Sequence, residues 1–147
     1  MKLVPGTVLE RYRVEEEIGR GGMARVYRVR HQTLRTVHAL KVLSLSGDEL
    51  RERLVREGQV QAQLDHPHIV AVRDILDLPD GPGLLMDYIE GEALDHWLVS
   101  HQPSPAERQH IFMDIADGVG FAHAHGVVHR DLKPGNVIMQ QHRGQCD

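Results

Sequence analysis

Three groups of residues have types and spacing that could do chemistry. The densest lies near the end of the chain, Val127-Val128-His129-Arg130-Asp131-Leu132-Lys133-Pro134-Gly135-Asn136. There an acid, a base and an amide fall close together between apolar stretches. Asp131 could accept or orient a hydroxyl proton, Lys133 could neutralise a transferring phosphoryl group, and Asn136 could ligate a magnesium ion. A polar loop following a helix is the plain alternative.

The second group is Gly19-Arg20-Gly21-Gly22, set between two strand candidates. Without a Cβ the backbone can approach a phosphate closely and turn its N–H groups to the anion. A simple hairpin turn explains the same glycines, and taken alone they leave both readings open. The string is not a dinucleotide fingerprint, because a strand rather than a helix follows it. The third group is a pair. Lys41 shares a strand face with Val37, Ala39 and Leu43, which points its ammonium toward the core side; a snorkelling surface lysine is the alternative. Three- and four-residue steps along the next helix place Leu50, Leu54, Glu57, Gln61 and Leu64 on one stripe. A carboxylate within an apolar stripe is costly unless it meets a cation. Lys41 is the natural partner for Glu57, and the pair would hold the lysine toward a phosphate. Gln61, a second polar residue, suggests that this stripe is partly solvated.

The elements that must position these residues change character along the chain. Tyr12 to Ile18, Ala24 to Val29 and Val37 to Leu43 alternate as strands do. Ser46-Gly47-Asp48-Glu49 fits a capping box that opens a helix, and Asp65-His66-Pro67 closes it near Leu64. Ile69 to Leu78 and Leu84 to Ile89 are two more strands around the turn Pro79 to Gly83. The second half turns helical. Ala93 to Ser100 is a short helix; Ser104-Pro105-Ala106-Glu107 is a second capping box with proline at the first helical position. A long helix then carries Ile111, Ile115, Val119 and Ala122 on one face and stops at Gly126, before a strand begins at Val137-Ile138-Met139.

Composition sets the broad class. With 147 residues, 41% hydrophobic and 26% charged, the chain fits a globular domain of ordinary size and excludes collagen, a coiled coil and a disordered tail. No run approaches the length of a membrane span, and no apolar core follows the first residues as a secretory signal requires. A single cysteine, Cys146, excludes a disulfide framework and makes the cytoplasm the expected compartment. Seventeen basic against 21 acidic residues, a net charge of −4, argue against nucleic acid as a partner. Eleven histidines raise the question of zinc. However, His123 and His125 are two apart on a helix and do not face each other, while His66 and His68 flank a proline in a turn. Cys146 reads as an incidental thiol.

From about Tyr12 to Met139 the chain resembles the N-terminal part of a protein kinase, in particular the bacterial Ser/Thr kinases that are similar to eukaryotic ones. Gly19-x-Gly21-x-x-Ala24-x-Val26 resembles the glycine-rich loop, with Ala24 in place of its third glycine, and Ala39-Leu40-Lys41 the strand with the phosphate-binding lysine. Glu57 falls where the family's long helix supplies the partner of that lysine. His66-Pro67-His68-Ile69-Val70 resembles the turn after that helix, and Met86-Asp87-Tyr88-Ile89 the gatekeeper and hinge, whose backbone bonds the adenine edge. His129 to Asn136 is similar to the catalytic loop, and Lys133, two after Asp131, is the Ser/Thr-kinase version.

The resemblance implies an α+β, protein-kinase-like fold. About 10–88 would form an N-lobe and hinge, with an antiparallel sheet and one long helix, and 89–147 a truncated helical C-lobe carrying the catalytic loop. It implies ATP and Mg2+ as cofactors and transfer of the ATP γ-phosphoryl group to a protein Ser or Thr hydroxyl. Catalysis would rest on Asp131, Lys133, Lys41 and Glu57. Nucleotide would contact Ile18, Gly19, Gly21, Gly22, Val26, Ala39, Lys41, Met86, Asp87, Ile89 and Ile138, with Ile18, Val26, Ala39, Met86 and Ile138 sandwiching the adenine. Asn136 would take a metal ion. The sequence ends at Cys146-Asp147 without an Asp-Phe-Gly or an activation segment. The expectation is therefore that these 147 residues alone are inactive, with the apolar surface of the long helix (Ile111, Phe112, Ile115, Val119, Phe121) uncovered. A noncatalytic nucleotide-binding or interaction module, or a fragment of a longer kinase, is the alternative.

Overall fold

In the computed structural model the described residues are 3–20, 24–43, 47–79, 81–126, 137–142 and 145–146. They divide into two compact units, residues 1–65 with 70–88 and residues 66–69 with 89–147.

The first unit is built on alternation. Strands β1 (Val8–Leu9), β2 (Tyr12–Arg20), β3 (Ala24–His31), β4 (Val37–Leu43), β5 (Val72–Leu78) and β6 (Gly81–Asp87) form one sheet in the order β1-β2-β3-β4-β6-β5. Every neighbouring pair is antiparallel. One sheet face packs Val14, Tyr27, Val29, Leu40, Val42, Leu76 and Leu85 into a buried cluster. Leu3 and Leu9 complete it from the N-terminal side, and the Leu3 amide donates to the buried Tyr27 hydroxyl at 3.0 Å. Burying side chains of this size is worth about 1.5–3 kcal/mol each. Lys41 is on the opposite face from Leu40 and Val42, so the richest core does not lie on the lysine side as its neighbours Val37 and Leu43 suggest. On the lysine face, helix α1 (Asp48–Gln61) packs over β6 and β5.

Helix α1 departs from expectation at both ends. It opens at Asp48 with Gly47 as its N-cap; Ser46, the expected capping residue, lies outside the described residues. It ends at Gln61, and Leu64, just beyond it, is buried. Leu54 and Gly58 are its fully buried residues, while Glu57 lies at the exposed edge of the apolar stripe. The β5–β6 hairpin is tighter than the Pro79 to Gly83 string suggests: β6 starts at Gly81 and includes Pro82, opposite Asp77. Proline is tolerated there because β4 pairs with β6 only from Gly83 onward, so no ladder bond is lost on that side.

The second unit has a three-stranded antiparallel sheet, β7 (Gly91–Ala93), β8 (Ile138–His142) and β9 (Gln145–Cys146), and two helices, α2 (Leu94–His101) and α3 (Pro105–Ala124). Leu94, Trp97 and Met139 form its core, with Leu98, Ile111, Ile115 and Val137 packed around them. The second capping box is present in full: Glu107 N donates to Ser104 Oγ, and Ser104 N to the Glu107 carboxylate, both at 3.2 Å. Gly126, at φ +84°, takes the left-handed conformation that stops the chain from continuing the helix. Along α3, Phe112 and Met113 are 67% and 58% exposed. No described helix is long and apolar enough to cross a membrane.

Candidate active site

Lys41 and Glu57 meet. Lys41 Nζ lies 2.8 Å from Glu57 Oε1, with the side chains 28% and 45% exposed. Strand pairing fixes the lysine: Lys41 stands opposite Val26 on β3 and opposite Leu84 on β6. Helix packing fixes the glutamate, because Gly58, the next residue, is buried against Leu84 and Ile75. Gln61 is not simply solvated as the stripe suggested. Its amide donates to the Val70 carbonyl at 2.8 Å and ties the end of α1 to the chain entering β5.

The same register places Val26, Ala39, Lys41, Leu84 and Met86 on one sheet face. Ile18 sits at the β-bulge between Glu17 and Gly19, where β2 bends away from regular pairing. Gly19 pairs with Val26. Ile18, Gly19, Val26, Ala39, Lys41, Met86 and Asp87 thus all belong to the first unit, and Ile89 and Ile138 to the second. Gly21, Gly22, Asp131, Lys133 and Asn136 lie outside the described residues.

At the expected hinge, Asp87 is held twice. Arg73 grips its carboxylate with two hydrogen bonds, Nε at 2.7 Å and Nη2 at 2.9 Å, and the Asp87 amide donates to the Ala71 carbonyl at 3.0 Å. That N–H is therefore engaged and is not a donor for an adenine edge. The guanidinium fork of Arg73 holds the Asp87 carboxyl below its ordinary pKa, against the opposing effect of burial. Arg73 reaches Asp87 because it is the extra residue of a bulge between Val72 and Asp74. The acidic run Glu15-Glu16-Glu17 is matched across the ladder. Arg28 reaches Glu15 and Glu16 at 3.0 and 2.9 Å, Arg30 reaches Glu15 at 3.0 Å, and Arg25 and Arg20 flank Glu17. Arg28 also lies over the Tyr88 ring, 6.0 Å from its centre. None of Gly58, Arg73 or Arg28 stood out in the sequence, because each acts through a register or a packing depth that residue types do not encode.

The histidine pairs serve structure: His68 Nε2 lies 3.4 Å from Asp114 Oδ1, and the His66 ring packs 4.9 Å from that of Phe121. His66 Nδ1 accepts from the His68 amide at 3.0 Å within the turn, and His125 Nδ1 lies 2.8 Å from the Phe121 carbonyl. Among the described residues no group of three His, Cys, Asp or Glu side chains is arranged to hold a metal ion.

Comparison with known sequences decides the family, since residues 12–146 match the protein kinase domain. The chain belongs to the protein kinase family. It is 36% identical over 146 residues to the serine/threonine-protein kinase PknJ of Mycobacterium tuberculosis, covering 97% of this chain and 25% of that protein. It is 34% identical over 141 residues to the serine/threonine-protein kinase PrkC of Bacillus subtilis, covering 93% of this chain and 22% of that one. This chain thus spans about a quarter of the length of these relatives. Among solved structures, the kinase domain of M. tuberculosis PknI superposes with a TM-score of 0.79 at 33% identity, covering 99% of this chain and 60% of that structure. The α+β, kinase-like fold with an antiparallel sheet and few helices is thereby established.

Proposed function

We propose that this chain carries the nucleotide-binding face and catalytic loop of a Ser/Thr protein kinase, which transfers the ATP γ-phosphoryl group to a protein Ser or Thr hydroxyl. Residues 10–88 act as the N-lobe and hinge, and residues 89–147 as the part of the C-lobe that brings the catalytic loop. The observation that carries the reading is the 2.8 Å contact between Lys41 and Glu57 on the face shared by Val26, Ala39 and Met86. A cation held by one carboxylate keeps hydrogen-bonding capacity for a second anion, which suits a lysine that serves a phosphate.

In this reading Glu57 orients Lys41, and Lys41 holds the ATP phosphates together with the amides of Gly19, Gly21 and Gly22. Ile18, Val26, Ala39, Met86 and Ile138 enclose the adenine, and the Asp87 carbonyl and the Ile89 backbone read its edge. Asp131 orients the acceptor hydroxyl and takes its proton, while Lys133 balances the charge of the transferring group. Asn136 would offer an amide oxygen, a hard donor of the kind magnesium takes, and an ion held there would supply charge neutralisation at the phosphates. Such catalysis consists of positioning and charge stabilisation rather than covalent chemistry.

Titration calorimetry with ATP, with and without magnesium, tests the reading. Lys41→Met keeps a similar stem and removes the charge; losing a charged hydrogen bond of about 1.5–3 kcal/mol weakens binding by roughly ten- to a hundredfold. Equal affinity in the variant and the parent would remove Lys41 from the phosphate site.

A further inference from the structure

Helix α1 contains a glycine where its packing is tightest. Gly58 is buried, follows Glu57 directly, and stands in a helix interior, where alanine is intrinsically favoured. A Cβ at Gly58 would lie 2.5 Å from Leu84 Cδ2, 3.5 Å from Leu84 Cδ1 and 3.6 Å from Ile75 Cδ1. Carbon atoms pack best at about 3.5–4.0 Å, so the nearest contact falls short by roughly 1 Å or more. Leu84 is fully buried, so turning its side chain aside to admit a methyl means displacing the neighbours packed around it. It is also the residue directly across the ladder from Lys41. One leucine therefore lies beneath the helix at Gly58 and beside the lysine that Glu57 must reach.

We propose that Gly58 is a positioning residue: its missing side chain sets the depth at which α1 seats on β6 and so keeps Glu57 within hydrogen-bond reach of Lys41. The inference rests on the reading of Lys41 and Glu57 as the phosphate-site pair. The margin is small. The contact is 2.8 Å, and an outward shift of roughly 1 Å carries it past the range of a good hydrogen bond. Gln61, fixed to the Val70 carbonyl, anchors the end of the helix, so the methyl of an alanine at position 58 would lever the Glu57 turn rather than slide the whole helix.

The test reads Lys41 directly. The chain has three lysines, Lys2, Lys41 and Lys133, so acylation by an N-hydroxysuccinimide ester can be followed at each by peptide mass spectrometry. The free amine attacks the ester carbonyl, the amide bond forms, and N-hydroxysuccinimide leaves. A lysine released from its carboxylate reacts faster. Gly58→Ala is expected to raise the Lys41 labelling rate several-fold relative to Lys2, toward the rate in Glu57→Gln. It is also expected to weaken ATP binding roughly tenfold. Adding Leu84→Ala to Gly58→Ala removes the opposing methyls and is expected to return both quantities toward the parent values. If Gly58→Ala does not fold, recovery of fold and of slow Lys41 labelling in the double variant supports the steric account, and failure of that variant to recover overturns it. Parent-like Lys41 labelling in folded Gly58→Ala also overturns the proposal. Faster labelling with unchanged ATP affinity would uphold the positioning role and instead contradict the phosphate reading of Lys41.

Discussion

A 2.8 Å contact between two partly exposed side chains contributes at most about 1 kcal/mol to stability, so the pairing of Lys41 with Glu57 is a matter of orientation. The residue types made this pair legible: a lysine on a strand and a carboxylate on a helix stripe are each costly without the other. What they did not reveal was the degree of burial. Glu57 sits at the edge of the stripe, and the true contact face runs through Leu54 and Gly58. His38 is the residue whose environment makes the sharpest solution prediction. Its Nε2 meets Thr36 Oγ1 at 2.9 Å, its ring stands edge-on to Tyr12, and its Nδ1 is buried with no hydrogen-bond partner among the described residues. Burial holds its pKa below the ordinary imidazole value; Asp87 opposes this, and His31 and Arg73 reinforce it. A depressed native pKa means that the unfolded chain binds the proton first as pH falls. The stabilising contribution is thus fully present above the ordinary value of 6.5 and is lost as pH drops toward the native one. Between about pH 8 and pH 5, thermal unfolding of the parent should lose more stability than that of His38→Gln. Parallel pH profiles would contradict this account of His38.

At the scale of elements, local signals succeeded where one residue satisfies another nearby. The Ser104–Glu107 capping box was readable because its two hydrogen bonds close within four residues, and both are formed. Its counterpart at Ser46 lies outside the described residues, and α1 opens at Asp48 behind Gly47. Helix α1 is held by its packing on β6 and β5. Helix α3 is in the opposite position. Only Gly118 along it is fully buried, and Phe112 and Met113 project into solvent, so its cap matters more. Ser104→Ala should lower the stability of the second unit by about 1 kcal/mol. It should also speed amide hydrogen exchange in the first turn of α3 while leaving β3 and β4 unchanged. Unaltered exchange at Glu107 and Arg108 would show that the cap is dispensable. Strand bounds were less legible. The β5–β6 hairpin ran through Pro82, and the bulges at Ile18 and Arg73 follow from pairing between distant segments, which alternation alone cannot register.

For the whole molecule, motif order along the chain carried the family, and the match over residues 12–146 bears it out. The six-stranded order β1-β2-β3-β4-β6-β5 and the contribution of Leu3 and Leu9 to the core had no counterpart in the sequence reading, because they depend on which strands become neighbours. The string that resembles the catalytic loop, His129 to Asn136, lies outside the described residues, which leaves Lys41 as the proposed site residue open to a direct test. The most direct measurement uses an ATP analogue with an acyl group on its terminal phosphate. A lysine touching the phosphates attacks the acyl carbonyl, gains the acyl group as an amide and releases ATP. The account predicts rapid acylation of Lys41 in preference to Lys2, suppressed by excess ATP and slowed in Glu57→Gln. Acylation of Lys41 no faster than of Lys2, or unaffected by ATP, would contradict it.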